Sequence, residues 1–245
     1  MAFQERSYIG AGKLYLGGLF VGNVPTLTLG FESEEITLVD KTQGGGGVYN
    51  GTFRISNVTF EFEFNDYIAN NLSFALFGDY SAVTGGAVAD EAMTAPTELD
   101  EDDMLVPWAD GNIADVDQAV TVTGKVEGTD YDGMPGGLLI YAAGAISADD
   151  ALVVGYTKLG TDLVQALVNS GQEYAMLFDG LNDAQNGDSV VVSIYRGKPS
   201  PASGLPLITD EHAANPVSGA ILSDQTKTGV GISKYFTVAL QNPSS

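Results

Sequence analysis

Four consecutive glycines, Gly44 to Gly47, could let a backbone approach a phosphate closely and take positive φ. A nucleotide loop needs a Gly-Lys-Ser/Thr ending that opens a helix, and Val48, Tyr49 and Asn50 follow here instead. The run reads as a flexible hairpin tip. Carboxylates cluster at Glu98 to Asp103, Asp110 to Asp117 and Asp179 to Asp188, and a hard cation takes several oxygens from one loop. None has the EF-hand spacing of alternate acids, a central glycine and a terminal Glu, so they read as solvated acidic loops and no metal is assigned. His212 is the only histidine, which excludes a two-histidine metal site and would force any Ser-His-Asp triad to be built around it. Its neighbours, Thr209 to Ala214, have the composition of an exposed loop, and no Gly-x-Ser-x-Gly elbow occurs. With 32 acids, a glycosidase carboxylate pair has no residue-level signature. No catalytic residue is assigned; the expectation is a non-enzymatic protein without a cofactor.

The bulk numbers agree with a binding or structural role. There are no cysteines, so disulfides and thiolate metal sites are excluded. The formal net charge is −22, and no Lys or Arg stands between Arg54 and Lys125, a stretch that holds fourteen carboxylates from Glu61 to Asp117. Such a surface repels phosphates and anionic headgroups, which argues against specific nucleic-acid binding and against a membrane partner. Met1 to Gly12 lacks the pattern of an export signal. The longest apolar run, Leu138 to Ile146, is far shorter than the roughly 20 residues that span a bilayer. A soluble protein made in a cytoplasm is expected.

The elements behind these residues are strands. Short alternating segments recur between glycine-rich turns, the pattern of an all-β sandwich or barrel. Lys13 to Leu16 and Leu19 to Val21 flank Gly17-Gly18 as a hairpin; Val24 to Phe31 and Glu35 to Lys41 follow. From Thr52 to Asn65 the apolar parity changes: Phe53 and Ile55 are odd, whereas Val58, Phe60, Phe62 and Phe64 are even. Period two cannot survive that change without an extra residue, so a bulge is expected near Ser56 and Asn57. Beyond it Thr59, Glu61, Glu63 and Asn65 share the polar face. Asn65 or Asp66 caps a short helix with Ile68, Leu72, Ala75 and Leu76 at helical spacing. Residues 80–117 read as an acidic loop or small insertion within a single domain, 1–245, with Trp108 as a local hydrophobic anchor. Further strands are expected at Ala119 to Val126, Leu138 to Ala145, Leu152 to Tyr156, Tyr174 to Phe178, Ser189 to Tyr195, Leu205 to Ile208, Ala220 to Ser223 and Ser233 to Leu240. A helix is expected at Thr161 to Asn169, and a turn at Gly180 to Asp188.

Two segments together carry a resemblance. The first is the strand pair Leu27 to Phe31 and Glu35 to Asp40, a Gly-rich excursion, a strand ending FEFEFN (Phe60 to Asn65), and a helix ending FALFGD (Phe74 to Asp79). The second is YAMLFDGLN (Tyr174 to Asn182), SVVVSIYRGKPSPA (Ser189 to Ala202) and the closing KYFTVAL (Lys234 to Leu240). This order resembles the major tail tube protein of long-tailed, non-contractile bacteriophages over about two thirds of the chain, leaving 80–117 unaccounted for. The resemblance implies two packed antiparallel sheets with a flanking short helix, in a virion protein assembled in the host cytoplasm. It implies subunits that join sheets around a ring, commonly six-fold, with rings stacked into a tail tube through which viral DNA passes without specific binding. It also implies tape measure, tail terminator and distal tail proteins as partners. On it, Lys41, Gln43, Gly44, Gly45, Gly46, Gly47, Val48, Tyr49 and Asn50 form a loop that reaches the next ring. Thr59, Glu61, Glu63 and Asn65 become candidates for the channel wall. The alternative from another class is a bacterial surface or capsid-decorating β-sandwich that binds a receptor or glycan.

Overall fold

The structure is a computed structural model and describes residues 6–42, 44–99 and 102–242. In chain order it has β1 (Gly10–Leu16), β2 (Leu19–Phe20), β3 (Leu27–Val39), β4 (Val48–Phe64), α1 (Ala69–Ala75), β5 (Asp79–Val83), β6 (Gly86–Thr94) and β7 (Met104–Pro107). These are followed by β8 (Thr121–Val122), β9 (Tyr131–Met134), β10 (Gly137–Ile140), β11 (Ala151–Lys158), β12 (Thr161–Gln165), β13 (Tyr174–Asn182), β14 (Asp188–Pro199), β15 (Asn215–Ile221) and β16 (Phe236–Leu240). The fold is all-β in class, and α1 is the one α-helix among the described residues. The chain divides into a body, 1–79 and 165–245, and an inserted unit, Tyr80–Val164.

The body is one eight-stranded sheet in the order β2-β1-β13-β14-β15-β4-β3, with β16 paired to β14. Every ladder in it is antiparallel. Strands far apart in that order meet in one core: Leu14 and Leu16 of β1 cluster with Phe60, Phe62 and Phe64 of β4, with Phe74 of α1 beside them. The sheet therefore bends back over itself, and its two halves supply the packed layers. Phe60, Phe62 and Phe64 are no more than 1% exposed. The β4–β15 approach is tight, because a Cβ on Gly219 would collide with the Phe60 ring and the Lys198 carbonyl.

Several details differ from the sequence reading: β3 joins the expected strands Val24 to Phe31 and Glu35 to Lys41 into one, and of Ala119 to Val126 only Thr121–Val122 is strand. The N-cap of α1 is Ile68 and it makes no side-chain capping bond. Asp66 is engaged elsewhere, accepting from the Asn23 backbone N–H at 2.7 Å. The helix buries Asn71, Phe74 and Ala75, and Ile68 is exposed. Thr161–Gln165 is a strand paired with β5, not a helix: the ladder competes for the same Leu163 and Val164 that suit a helical stripe. Leu205 to Ile208 forms no strand, and Leu207 and Ile208 are exposed. Between Gly180 and Asp188 the chain stays in β13 until Asn182, and the turn is confined to Asp183–Gly187.

The inserted unit begins at Tyr80, where an insertion was expected, but runs on to Val164 and is built of strands. It pairs β7-β10-β9 and β6-β11-β8 over its own core, including Trp108, Tyr131, Leu138, Ile140, Val154 and Tyr156. Trp108 is the expected anchor: it is buried, stacks on Tyr156 with ring centroids 4.2 Å apart, and donates from Nε1 to the Met134 carbonyl at 3.0 Å. The Tyr156 hydroxyl donates to Glu91 at 2.8 Å and accepts from the Asn112 amide at 3.0 Å. Burial, then the Glu91 carboxylate, pushes its pKa up to about 12. Asp130 ties two loops together by accepting from the backbone of Ala145 and Val126, each at 2.8 Å, and these bonds hold its carboxyl below the usual range. The unit holds sixteen carboxylates and two lysines, Lys125 and Lys158.

Candidate assembly surface

The β3–β4 hairpin leaves the body. Through Leu27 to Phe31 it is part of the sheet, with Leu29 across from Phe60 and Phe31 across from Val58. Register then shifts: Glu32 pairs with Asn57 and Ser33 with Ile55, so Ser56 is the unpaired extra residue where the parity break required one. From Phe31 to Ser56 every described residue but Asp40 is exposed. The nine ladder residues from Phe31 to Val39 give this arm a reach of about 27 Å.

A second shift, between Leu38 and Val39, leaves Tyr49 unpaired near the tip. The turn is closed by the Asp40 N–H donating to the Gly47 carbonyl at 2.7 Å. Asp40 Oδ1 accepts from the Thr42 hydroxyl at 2.6 Å and from its N–H at 2.8 Å, which holds the Asp40 carboxyl below its ordinary value. Gly45 and Gly46 have φ of 131° and 67°, conformations that favour glycine. At Gly44 and Gly47 φ is not positive, and a Cβ on any of the four would meet nothing within 4 Å. The four glycines are therefore unpacked. Lys41, Gly44 to Gly47, Val48, Tyr49 and Asn50 all lie on it, and Gln43 lies outside the described residues.

Thr59, Glu61 and Glu63 share the face of β4 opposite the buried phenylalanines, and Asn65 follows just past the strand's end at Phe64. Across from Thr59 stand Gly30 of β3 and Ala220 of β15, across from Glu61 stand Thr28 and Ser218, and across from Glu63 stands Pro216. Glu61 is exposed, and Thr59 and Glu63 are half-buried. Asn65 is occupied within the fold: its amide donates to the Ala213 carbonyl at 2.9 Å, and its oxygen accepts from Asn23 at 3.0 Å. The tip and this polar face lie about 30 Å apart along one hairpin and do not form a single site.

What residue types did not reveal is the apolar load on the arm. Phe53 and Ile55 are 69% and 62% exposed, and Ile36 and Leu38 are 45% and 59% exposed. A concavity of about 700 Å³ is lined by Tyr15, Leu177, Asp179, Ser193, Tyr195 and Asp224, with Lys227 lying over the Tyr195 ring at 4.6 Å.

The fold and this surface define a mostly antiparallel β-protein of two units whose body projects a long, apolar-faced hairpin arm. The chain belongs to the family described as protein of unknown function UCP028589, which it matches over residues 7–239. No curated protein matches it. Among the described residues no helix is long and apolar enough to cross a membrane.

Proposed function

We propose that this chain is a structural virion subunit that polymerises with copies of itself, as stacked rings, into a tail tube that conducts viral DNA. The observation that supports the reading best is the arm. Monomeric proteins rarely leave contiguous apolar surface in water, and a projecting two-stranded ribbon has no core to stabilise it alone. A neighbouring copy would supply one. β3 pairs only with β4 among the described residues, so its outer edge is open, and joining edges between copies turns that hazard into an interface. The tip would order against the adjacent ring, and Glu61 and Glu63 would face the channel. Rings of six, and tape measure, tail terminator and distal tail proteins as partners, follow from the family resemblance.

Negative-stain microscopy of concentrated protein, alone or seeded with a tail-tip complex, tests this. Hollow tubes of uniform diameter are expected. A subunit that stays monomeric when seeded, and that is absent from the tails of purified virions, overturns the proposal. Deleting Gln43 to Val48 should leave a cooperative melt unchanged and abolish stacking.

A further inference from the structure

We infer that the arm is clamped between two other copies of the chain rather than laid on one, an inference that rests on the assembly reading above. Residues paired across an antiparallel ladder point to the same side, and β3 keeps its parity from Leu27 to Val39 because both register shifts fall on β4. One side of the arm, continuous with the body's core face, therefore carries Ile55 across from Ser33, Phe53 across from Glu35, and the Val39–Val48 pair. The other carries Ile36 and Leu38, across from Thr52 and Asn50. An arm resting on a single surface would bury one side and keep the other polar. Here both sides are apolar and both are exposed.

Charge points to a second copy as the occupant. The chain carries −22, so like subunits repel wherever their carboxylates meet. Between Ile36 and Phe53 the only charged residues are Asp40 and Lys41, which sum to zero. Asp40 is already satisfied by Thr42. Beyond the rung where Glu35 faces Phe53, the outer arm is thus a segment of zero net charge that a strongly acidic subunit can bury on both sides with little opposing charge. Nearer the body charge returns, with Glu35 across from Phe53, Glu34 across from Arg54 and Glu32 across from Asn57, so the clamp runs from the Ser33–Ile55 rung outward.

The absence of cysteine makes the test direct. Ile36→Cys and Phe53→Cys, one per side, are labelled with a benzophenone maleimide, and Leu38→Cys with Ile55→Cys provides a second pair should either site disturb assembly. In assembled particles, irradiation should link the two sides to different peptides, and a variant labelled on both sides should yield a three-chain product. Maleimide reactivity at each unlabelled cysteine should fall at least tenfold on assembly. Assembled particles in which one side keeps its monomer reactivity, both sides link to one peptide, or a different protein is captured overturn the clamp while leaving the tube reading intact. Failure of every variant and of the parent chain to assemble overturns the tube reading and the clamp together.

Discussion

Ser33 sits directly across the hairpin from Ile55, and that pairing makes Ser56 the residue with no partner. The single extra residue keeps Phe53 and Ile55 on the same side of the ribbon as Phe60, Phe62 and Phe64, although their sequence parity is opposite. A one-residue change of register sends every side chain beyond it to the other face. Deleting Ser56 should therefore move Phe53 and Ile55 across the arm without touching the buried end of β4. The expected result is a subunit with an unchanged melt whose assembly threshold, read by light scattering, rises at least tenfold. Normal assembly of the deletion would show that the side on which these residues lie is immaterial.

The body and the inserted unit have separate cores, so they should respond separately to a cavity. Phe62 is fully buried in the body, and Phe62→Ala should cost about 3–5 kcal/mol. For a unit of this size that lowers the melting temperature by roughly 10 °C. Near-ultraviolet circular dichroism should follow Trp108, the chain's one tryptophan, in the inserted unit through a transition that does not shift. Loss of both transitions together would mean that the two cores unfold as one.

Tyr156 offers a pH test of the inserted unit. Its pKa is raised from about 10 to about 12, mainly by burial, so the folded state favours the neutral phenol. The associated stability is present in full below pH 10 and is lost as pH rises from about 10 to 12. Tyr156→Phe removes the hydroxyl's bonds to Glu91 and Asn112, which should cost about 1–2 kcal/mol at neutral pH. It should also flatten the alkaline decline between pH 10 and 12. An unaltered alkaline slope in the variant would assign that decline to other groups.

These residues also mark how far the sequence can be read. The bulge at Ser56 was legible because a pleat alternates with period two, and Phe53-x-Ile55 against Val58-x-Phe60 breaks it within six residues. That Phe53 and Ile55 lie in solvent was not legible, because a strand that leaves its sheet has the same local pattern as one that stays. The inserted unit was half legible: acids and weak periodicity marked its start near residue 80, but its end at Val164 depends on β12 returning to β5, a pairing of distant residues. Leu163, Val164, Leu167 and Val168 satisfy a helical stripe as well as the observed strand and turn, so short-range spacing alone could not decide between them. Of the candidate channel residues, the alternation was right, yet only the structure shows that Asn65 is bound to Asn23 and Ala213.

The channel assignment consequently narrows to Glu61 and Glu63. Both stand on the face of β4 that turns away from the core, and Glu61 is the more exposed of the two. Within a tube, a ring of such carboxylates would repel phosphates and keep DNA from adhering, over a range of about 8 Å at physiological salt. Replacing both by Lys reverses that sign while leaving Phe60, Phe62 and Phe64 in place. Subunits should melt as before and assemble, whereas DNA ejection should slow, most visibly at low ionic strength where screening is weakest. Asn65→Ala, in contrast, should lower the melting temperature by a few degrees through loss of its two hydrogen bonds and leave ejection from assembled tails unchanged. Ejection kinetics that ignore the double Lys substitution at every salt concentration, or a tube map with residues 61 and 63 on the outer wall, would remove these glutamates from the channel.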